Sequence, residues 1–595
     1  MTMFDSKDTR FKTPFGAAST DEKITINFFA EKRREPKGVF MVIRGALSAR
    51  IELEKVREDG EYIHYSTEFS VPSAGIAYFR FEISTDYGFL FVGRDREGKA
   101  IIGDWLPEWQ LTVYEKGYST PEWIKGGLIY HIFADRFARV EDNRKPRFGY
   151  LKGWNEDVEV HKEDGSYDAD DFFGGNIKGI LSRLDYLESL GVTAIYLSPI
   201  FESSSNHRYD TGDYFKVDGL FGTEEEFKWL IDECRSRGIG IILDGVFNHT
   251  GWDSIYFNKF GRYPSLGAYQ SPSSPYHDWF SFYHFPDGYA CWWGVKNVPS
   301  VKRDSKGFQD FIAGRGGVID KWASLGVSGW RLDVVDELSS DFVKRIRCAV
   351  KRHGEESLVI GEVWEDASTK VSYGERREYL LGKELDGVMN YPFRTAILAF
   401  VKGGPAEDFC AKVNEIIENY PKQSLDCCMT LIGTHDTVRA VTELAGVPLP
   451  HTKKERRDFR LAPEQYAKAK KRLMTAAAIQ YFLPGVPSLY YGDETALEGC
   501  EDPMNRRPYP WGSQDKETVE FYKKLGQIRK KYRPDFIAHA LAKAEGGLLK
   551  IERPSLVLYA NSSPRPAPIA PSYDLLSGKT VYEVAPGEAV ICTRQ

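Results

Sequence analysis

The sequence has 595 residues, of which 42% are hydrophobic and 28% are charged. These fractions are those of a folded globular protein and exclude a largely disordered chain, and the length predicts about two to four domains. The formal net charge is −7 with both signs interspersed. This balance disfavours nucleic acid as a partner and favours a neutral substrate.

Targeting signals and disulfides are not evident in the sequence. The N-terminal stretch MTMFDSKDTRFKTPFG lacks an apolar segment, and no run reaches about 18 apolar residues. The eight cysteines include the adjacent pair Cys427 and Cys428 but no CxxC spacing. We therefore expect a cytoplasmic protein with no membrane span and with buried, reduced thiols.

The first 120 residues alternate polar and apolar side chains in short runs such as KITINFF, GVFMVIRG and YFRFEIST. Turn residues (Gly, Pro, Asn and Asp) separate these runs. A period of two with frequent turns is typical of antiparallel strands. We therefore predict an N-terminal β-sandwich over residues 1–120, which could act as a carbohydrate-binding module, a dimerisation arm or a spacer.

From Leu128 onwards, short apolar strands alternate with amphipathic helices. Repeated β-then-α units indicate a parallel sheet. The strand candidates, in chain order, are GLIYHIF, TAIYLS, GIILDG, GWRLDV, LVIGEV, LDGVMNY, MTLIGT and PSLYYGD. Eight strands are the number that a closed (β/α)8 TIM barrel needs, so we predict such a catalytic barrel over residues 121–535.

Two further regions flank or interrupt the predicted barrel. Residues from about 250 to 310, between the third and fourth strands, are rich in Trp, Tyr, His, Pro and Ser. A connection of this length predicts a protruding subdomain that walls one side of a cleft. Residues 536–595 return to short strand-like runs such as LLKIER and AVICTR, which predicts a small C-terminal β-domain.

Several barrel strands become polar at their C-terminal ends. These polar residues are Asp244 with Asn248 and His249, Arg331 with Asp333, Glu362, and His435 with Asp436. In a TIM barrel those ends share one mouth, where the active site lies. A single aspartate at a strand end is more often a cap or an ion-pair partner. Like charges gathered from four strands cost stability, so the group together predicts catalysis.

The two protonation states that a glycoside hydrolase needs can be assigned to this group. We expect Arg331, on the same face as Asp333, to lower the pKa of that carboxyl so that it stays ionised. Glu362 should keep its proton because the negative charges of Asp333 and Asp436 raise its pKa. One ionised and one protonated carboxyl are the requirement for glycoside hydrolysis.

The motifs DGVFNHT (244–250), GWRLDVVDE (329–337), GEVW (361–364) and LIGTHD (431–436) occur in this order. Through them the chain resembles the α-amylase superfamily, glycoside hydrolase family 13. The resemblance implies that Asp333 is the nucleophile, Glu362 the general acid/base and Asp436 the transition-state stabiliser. It further implies substrate-binding roles for Tyr209, His207, Asp244, His249, Arg331 and His435.

Within that superfamily, the N-terminal β-domain, VVDE and ELDGVMNYPFR are most similar to the cyclomaltodextrinase, neopullulanase and maltogenic amylase group. This resemblance implies cleavage of cyclodextrins, pullulan, maltooligosaccharides or starch, with an α-glucan as the partner and a homodimer formed through the N-terminal domain. It places Glu337 and Trp364 on the acceptor side. The group usually has Asn where this chain has Asp336, so its fine specificity is left open.

Calcium is the cofactor that relatives of this group often carry. The stretch after ADRF reads ARVEDNRKPRF, and the usual Gly-Gly-Asp is Gly174-Gly175-Asn176. Calcium needs about six to eight oxygen ligands, and Arg and Lys supply none. We therefore expect the calcium site to be weak or missing and no cofactor to be required.

Three alternatives remain open from the sequence. An α-1,6-debranching (pullulanase-type) enzyme or an exo-acting α-glucosidase would use the same three carboxylates with a different acceptor side. A catalytically silent glycan-binding protein is the non-enzyme alternative, which the presence of Asp333, Glu362 and Asp436 disfavours.

Overall fold

The computed structural model describes residues 2–160 and 169–594. Its N-terminal part is a ten-stranded β-structure. The strands are Lys12–Thr13, Ala18–Ser19, Ile24–Glu31, Gly38–Gly45, Ala49–Asp59, Tyr62–Phe69, Gly75–Thr85, Gly88–Arg94, Ala100–Ile102 and Trp109–Tyr114. Neighbouring strands pair antiparallel except Ala18–Ser19, which runs parallel to Trp109–Tyr114.

The side chains of these strands alternate as the sequence predicts. In Gly75–Thr85, the residues Ala77, Phe79, Phe81 and Ile83 are buried, whereas the residues between them are partly exposed. The buried side chains of the N-terminal strands form one apolar core. The predicted β-sandwich is therefore confirmed.

The central part is a closed barrel of eight parallel strands. In chain order the barrel strands are Ile129–Ile132, Ala194–Leu197, Gly240–Gly245, Gly329–Leu332, Leu358–Gly361, Gly387–Asn390, Met429–Leu431 and Val486–Tyr490. The first strand pairs with the second and with the eighth, which closes the barrel. Seven of these strands lie within the predicted segments, and the eighth begins at Val486, one residue before the segment PSLYYGD, so the TIM barrel is confirmed.

Helices connect and surround the barrel strands. They are Ile177–Leu181, Leu184–Ser189, Glu224–Ser236, Lys306–Ala313, Val318–Leu325, Ser340–Lys351, Tyr391–Val401, Ala406–Asn419, Lys422–Leu425, Ala440–Ala445, Lys453–Asp458, Pro463–Phe482, Lys516–Lys531 and Arg533–Ile537. The helix Glu224–Ser236 shows how the sequence sets such an element, because Thr223 and Glu226 form a capping box at its start. Among the described residues, no helix combines the length and the apolarity needed to cross a bilayer.

Three irregular segments shape the mouth of the barrel. The second strand is followed by the antiparallel pair Phe201–Ser203 and Thr211–Val217. The long connection after the third strand contains the pair Phe282–His284 and Gly288–Tyr289. The fifth strand is followed by the small hairpin Val371–Ser372 and Glu375–Arg376. Other short strands pair at Tyr150–Leu151 and Asp171–Phe172.

The C-terminal part is a six-stranded sheet, which confirms the predicted C-terminal β-domain. Its strands are Ala542–Glu545, Leu548–Glu552, Leu556–Ala560, Ala567–Asp574, Lys579–Val584 and Ala589–Thr593. All pairings within it are antiparallel. The domain boundaries at residues 120 and 535 stay predictions.

Candidate active site

The guanidinium of Arg331 lies at the centre of the charged cluster. Its Nη1 is 2.8 Å from Asp244 Oδ1 and 2.8 Å from Asp333 Oδ1, and its Nη2 is 2.8 Å from Glu362 Oε2. Asp244 and Arg331 are direct partners across the third and fourth strands, and Glu362 follows the fifth strand. The parallel register therefore brings three carboxylates from consecutive strand ends to one buried cation.

The pKa of Asp333 differs from the sequence-based expectation. Burial raises it well above its ordinary value; Arg331 lowers it, and Glu362 raises it further. The expected lowering by Arg331 is therefore present but smaller than the effect of burial. The sequence places Arg331 near Asp333 but does not show how deeply the Asp333 carboxyl is buried. The predicted direction of its pKa shift was therefore wrong.

Glu362 is held by two donors in addition to the ion pair. The backbone N–H of Val334 donates to Oε2 over 2.8 Å, and the indole N–H of Trp364 donates to Oε1 over 2.9 Å. The Trp364 ring stacks on Tyr391 with centroids 3.9 Å apart. Both carboxylate oxygens of Glu362 are thus fixed in direction.

Val334 follows Asp333 directly and has a φ of 37°. A β-branched residue rarely adopts a positive φ, so this backbone is strained. The turn points the N–H of Val334 at Glu362 Oε2, so it couples the positions of the two carboxyls. Sequence reasoning missed this residue, because nothing in the letters GWRLDVV marks a left-handed valine.

Asp244 accepts hydrogen bonds from two tyrosines. The hydroxyl of Tyr196 donates to Oδ2 over 2.5 Å and that of Tyr209 over 2.9 Å. The Tyr209 hydroxyl also lies 2.6 Å from His435 Nε2. Because the single Tyr209 proton goes to Asp244, Nε2 of His435 must be the donor in that pair. Asp244 therefore acts on the site by positioning Arg331 and Tyr209.

Tyr209 and His435 form a flat stacked pair, with ring centroids 5.2 Å apart and an interplanar angle of 12°. Burial lowers the pKa of His435 well below its ordinary value, so the ring is neutral. The substrate-binding role that the resemblance implies for His435 stays a prediction. In the structure its Nε2 faces Tyr209 and, at 3.1 Å, Asp436 Oδ2.

Asp436 follows the seventh barrel strand and lies beside His435 and Arg506. Its Oδ1 is 3.6 Å from Arg506 Nη2. Enclosure by the cleft raises the pKa of Asp436 to about 7, with Glu362 as the next cause, and about a third of its side chain (32%) stays open to solvent. Arg506 was not assigned from sequence, although the stretch NRRPYPW that holds it belongs to the family resemblance.

His249 and His207 flank this cluster. His249 is buried, its pKa is lowered to about 4 by burial, and its ring lies 5.6 Å from the ring of Trp292. His207 is also neutral, since burial lowers its pKa. Its Nδ1 accepts the N–H of Tyr209 over 3.0 Å. His207 thus orients the backbone of Tyr209.

Glu337 lies outside the buried cluster. It ends the short 3-10 turn Val335–Glu337 that follows Asp333. The indole N–H of Trp293 donates to its Oε1 over 3.2 Å, and the hydroxyl of Tyr373 donates to its Oε2. The side chains of Trp293 and Tyr373 are exposed. Glu337 is therefore a rim residue whose two partners were not identified from sequence.

Comparison with known proteins shows to which family the barrel belongs. The family model for the α-amylase catalytic domain matches residues 131–535. The structure of the type III pullulan hydrolase from Thermococcus kodakarensis aligns over 100% of both chains with a TM-score of 0.69 and 25% sequence identity.

Two curated relatives show the same similarity in sequence. An amylopullulanase of Thermoanaerobacter thermohydrosulfuricus is 34% identical over 88% of this chain and 38% of its own length. Neopullulanase 2 of Thermoactinomyces vulgaris is 34% identical over 69% of this chain and 64% of its own length. The chain thus spans less than two thirds of either relative. The catalytic-domain match nonetheless covers most of the chain, which therefore belongs to the α-amylase family, glycoside hydrolase family 13.

Proposed function

We propose that this protein is a retaining α-glucan hydrolase that cleaves α-1,4-glucosidic bonds of cyclodextrins, pullulan, maltooligosaccharides or starch. One observation carries the proposal: Asp333 and Glu362 contact neighbouring nitrogens of the same Arg331 guanidinium. Two carboxyls that share one guanidinium leave little room for a water molecule between them and the sugar. Inverting enzymes need that room, with carboxyls about 6.5–9.5 Å apart, whereas retaining enzymes hold them about 5–5.5 Å apart.

The proposed reaction has two steps. Asp333 attacks the anomeric carbon of the donor glucose, and Glu362 gives its proton to the departing glycosidic oxygen. Water then attacks the glycosyl-enzyme, passing a proton to Glu362 and releasing the Asp333 carboxylate. Asp436 stabilises the oxocarbenium-like transition states, and transfer to a sugar hydroxyl instead of water gives transglycosylation.

The contacts of Glu362, Tyr209 and Arg331 favour their proposed roles, whereas burial opposes the ionised form that Asp333 needs for the attack. Trp364 and Val334 donate to Oε1 and Oε2 of Glu362, so the carboxyl is held in one orientation. The Tyr209–His435 pair offers a flat apolar face beside Asp436 on which a glucose ring can stack. Arg331 stays charged, and the carboxyls of Asp244 and Glu362 remain beside it when Asp333 loses its charge in the covalent intermediate.

The anomeric form of the first product tests retention. Proton NMR of early maltooligosaccharide hydrolysis should show the α-anomer before mutarotation, and initial release of the β-anomer would contradict the mechanism. In addition, Asp333→Asn should lower kcat by at least about 10⁴-fold, because no covalent intermediate can form.

A substrate with a fluoride leaving group separates the two carboxyls. Fluoride needs little protonation, so Glu362→Gln should lose about 10²–10⁴-fold on maltotriose but far less in the first step on α-maltosyl fluoride. Asp333→Asn should lose both activities. Equal losses of Glu362→Gln on the two substrates would refute its role as the acid.

An α-1,6-debranching activity is the second candidate, because similar proteins are named amylopullulanase and neopullulanase. Products from pullulan distinguish the linkages, since panose reports α-1,4 cleavage and maltotriose reports α-1,6 cleavage. Glucose as the sole early product from maltooligosaccharides would instead indicate an exo-α-glucosidase. Binding of glucan without turnover would indicate the silent glycan-binding protein.

The residues present where relatives carry calcium do not fit that ion. The Arg139 guanidinium donates to the carbonyls of Phe173 and Lys152. The side-chain oxygen of Asn176 accepts the N–H of Gly179 and caps a helix. These oxygens are thus already bound to donors, and Arg139 brings a positive charge. The proposed enzyme is therefore calcium-independent, and excess EDTA should leave kcat and the unfolding midpoint unchanged.

A homodimer formed through the N-terminal domain remains part of the proposal. The outer face of that sheet exposes Phe89 and Phe91, and the adjacent turn exposes Tyr87; a partner chain could cover these apolar groups. Sedimentation should show a dimer at micromolar concentration, and the pair of substitutions Phe89→Asp and Phe91→Asp should weaken it. A monomeric wild-type protein would contradict the dimer.

A further inference from the structure

The turn that follows Asp333, residues 334–338, begins where the barrel stops fixing the backbone. The N–H of Asp333 still donates to the carbonyl of Gly245 over 3.1 Å, which continues the ladder of the third and fourth strands. Val334 is the first residue beyond that ladder, and its φ of 37° is unfavourable for a β-branched side chain. The conformation of Val334 is therefore held by the residues that follow it and by their contacts.

Arg377 binds both ends of this turn. Its Nη1 donates to the carbonyl of Leu338 over 2.9 Å, and its Nη2 lies 3.5 Å from the carbonyl of Val335. The N–H of Leu338 donates to the carbonyl of Val335 over 3.2 Å, which closes the turn. A planar guanidinium bound to both carbonyls restrains the turn as one unit. Because Arg377 follows the fifth strand, it joins the loop after Asp333 to the loop after Glu362.

The burial of Arg377 is costly for the fold. The residue is 2% exposed, and it forms no ion pair within 4.0 Å with any carboxylate that the structure describes. Burial raises the pKa of Glu384, and Arg377 is the first of the groups that lower it, so the two charges compensate each other only at longer range. A cation buried without a direct counter-ion destabilises a protein. An apolar side chain would fill the same space at lower cost, so the two backbone contacts are the property that needs arginine.

The turn affects Glu362 through the way in which the two oxygens of that carboxyl are bound. Oε2 accepts the N–H of Val334 over 2.8 Å and lies 2.8 Å from Nη2 of Arg331. These two donors occupy both lone pairs of Oε2, so an acidic proton on this carboxyl is confined to Oε1. Oε1 accepts the indole N–H of Trp364 over 2.9 Å, which leaves it able to carry that proton.

We propose that Arg377 is a positioning residue for the acid Glu362: it holds the turn so that the N–H of Val334 stays on Oε2, and it thereby confines the acidic proton to Oε1. This inference rests on the proposed role of Glu362 as the general acid. When the turn is released, Val334 can leave its left-handed conformation, and the proton can reside on Oε2, which is turned toward the buried cluster. Protonation of the departing oxygen then becomes slower, whereas the attack by Asp333 does not need that proton.

Two substrates with different leaving groups test the proposal. For α-maltosyl fluoride, kcat/KM for fluoride release reports the first step with a leaving group that needs little protonation. For maltotriose, kcat/KM reports the same step with a leaving sugar that needs the acid. Arg377→Met should lower the maltotriose value about ten- to a hundredfold, as expected for a misplaced acid, and the fluoride value less than about twofold. The ratio of the two values is insensitive to a general loss of folded enzyme, because such a loss lowers both equally.

A second variant keeps the test decisive if Arg377→Met does not fold. That substitution leaves Glu384 buried without the charge of Arg377, whereas Arg377→Met combined with Glu384→Gln removes both charges. The double variant should lower the ratio of the maltotriose value to the fluoride value as much as the single variant does. Arg377→Lys retains the charge but lacks the planar fork that binds two carbonyls, so it should lower the ratio less than Arg377→Met.

Arg553 provides a matched control at the opposite end of the barrel. It is 1% exposed, and its guanidinium donates to the carbonyls of Phe482 and Ala538 over 2.7 Å each. Phe482 ends the helix that precedes the eighth strand, so this group is remote from the mouth. Arg553→Met removes a buried arginine from two carbonyls without altering the turn after Asp333, and its ratio should equal that of the wild type.

An unchanged ratio in Arg377→Met, or in the double variant with Glu384→Gln, would overturn the inference while leaving the hydrolase intact. An equal fall of the ratio in Arg553→Met would overturn it as well. Glu362→Gln, measured alongside, separates these results from a failure of the proposed function. If Glu362→Gln left the ratio unchanged, then Glu362 would not be the acid, and the proposed mechanism itself would be wrong.

Discussion

The buried cluster around Arg331 and the exposed rim around Glu337 are held in place by different parts of the structure. In the cluster, strand register places Asp244 beside Arg331, and the barrel excludes water from both. At the rim, Glu337 is held by side chains from two loops with strained backbones. The carboxyls proposed to act on the reacting carbon lie in or after the ends of barrel strands, so the barrel sets their geometry. The rim residues lie on loops, which can differ without disturbing the barrel.

Substitution of Arg331 is the strongest way to test this contrast. Arg331→Met would leave the carboxylates of Asp244, Asp333 and Glu362 without their shared buried cation. We expect the free energy of unfolding to fall by about 3–5 kcal/mol, because loss of one partner leaves buried charge uncompensated. Urea denaturation monitored by tryptophan fluorescence measures this change.

The control for that measurement is an ion pair on the barrel exterior. Arg235 lies 3.5 Å from Asp232, and both side chains are about half exposed. Arg235→Met should change the free energy of unfolding by less than about 1 kcal/mol, as is usual for surface pairs. Similar losses in the two variants would mean that removal of Arg331 leaves no uncompensated buried charge. The contrast between cluster and rim would then fail.

The pH dependence of stability sharpens the comparison at Asp436, which is partly open to solvent. The pKa of this carboxyl is raised from 3.8 to about 7 in the folded protein. The folded state therefore binds a proton more tightly than the unfolded state, and wild-type stability contributed by this group is lost as pH rises from about 4 to about 7. Asp436→Asn lacks the titrating group and should not show this loss.

The measurable quantity is the difference in unfolding free energy between Asp436→Asn and the wild type at several pH values. The variant should gain about 1 kcal/mol relative to the wild type between about pH 4 and pH 7, and the difference should stay constant above pH 7. The gain is small because solvent at the exposed third of the Asp436 side chain screens the effect. A difference that does not change with pH would show that Asp436 ionises normally. Activity of the variant should be lost throughout.

Sequence reasoning predicted the cluster because its members follow a rule of barrels. Asp244, Arg331, Glu362 and Asp436 each lie in or just after an apolar strand segment, and parallel strands end at one mouth. The strand order and the mouth could thus be predicted without coordinates. The net pKa direction of Asp333 could not be predicted, because it depends on burial, which periodicity does not report.

The rim could be predicted only in part, for a related physical reason. Glu337 and Trp364 were assigned to the acceptor side through the family resemblance. Trp293 and Tyr373 lie 44 and 36 residues away from Glu337 in the chain, and only the loop conformations bring them to it. Positive φ angles at a valine, a tryptophan and a tyrosine leave no signature in the sequence, since these residues rarely adopt them.

The smallest expected effect concerns Asp336, a position for which the family resemblance implies asparagine. Its Oδ1 accepts the hydroxyl of Tyr379 over 2.6 Å, and its Oδ2 lies 2.9 Å from Lys370 Nζ. These bonds tie the turn to the segment after the fifth strand and direct the side chain away from Glu337. Asp336→Asn retains one acceptor oxygen and loses a partly exposed ion pair, so the free energy of unfolding should fall by about 0.5 kcal/mol.

The product profile of Asp336→Asn should equal that of the wild type on cyclodextrin, pullulan and maltotriose, because the Asp336 side chain binds Tyr379 and Lys370 and not Glu337. Chromatography of early products provides the test, with Glu337→Gln as the comparison that should alter the profile. Asp336 and Glu337 are neighbours in the chain, yet their side chains contact different groups. If Asp336→Asn changed the products as strongly as Glu337→Gln, then the charge of the whole turn, rather than the position of one carboxylate between two rings, would control acceptor choice.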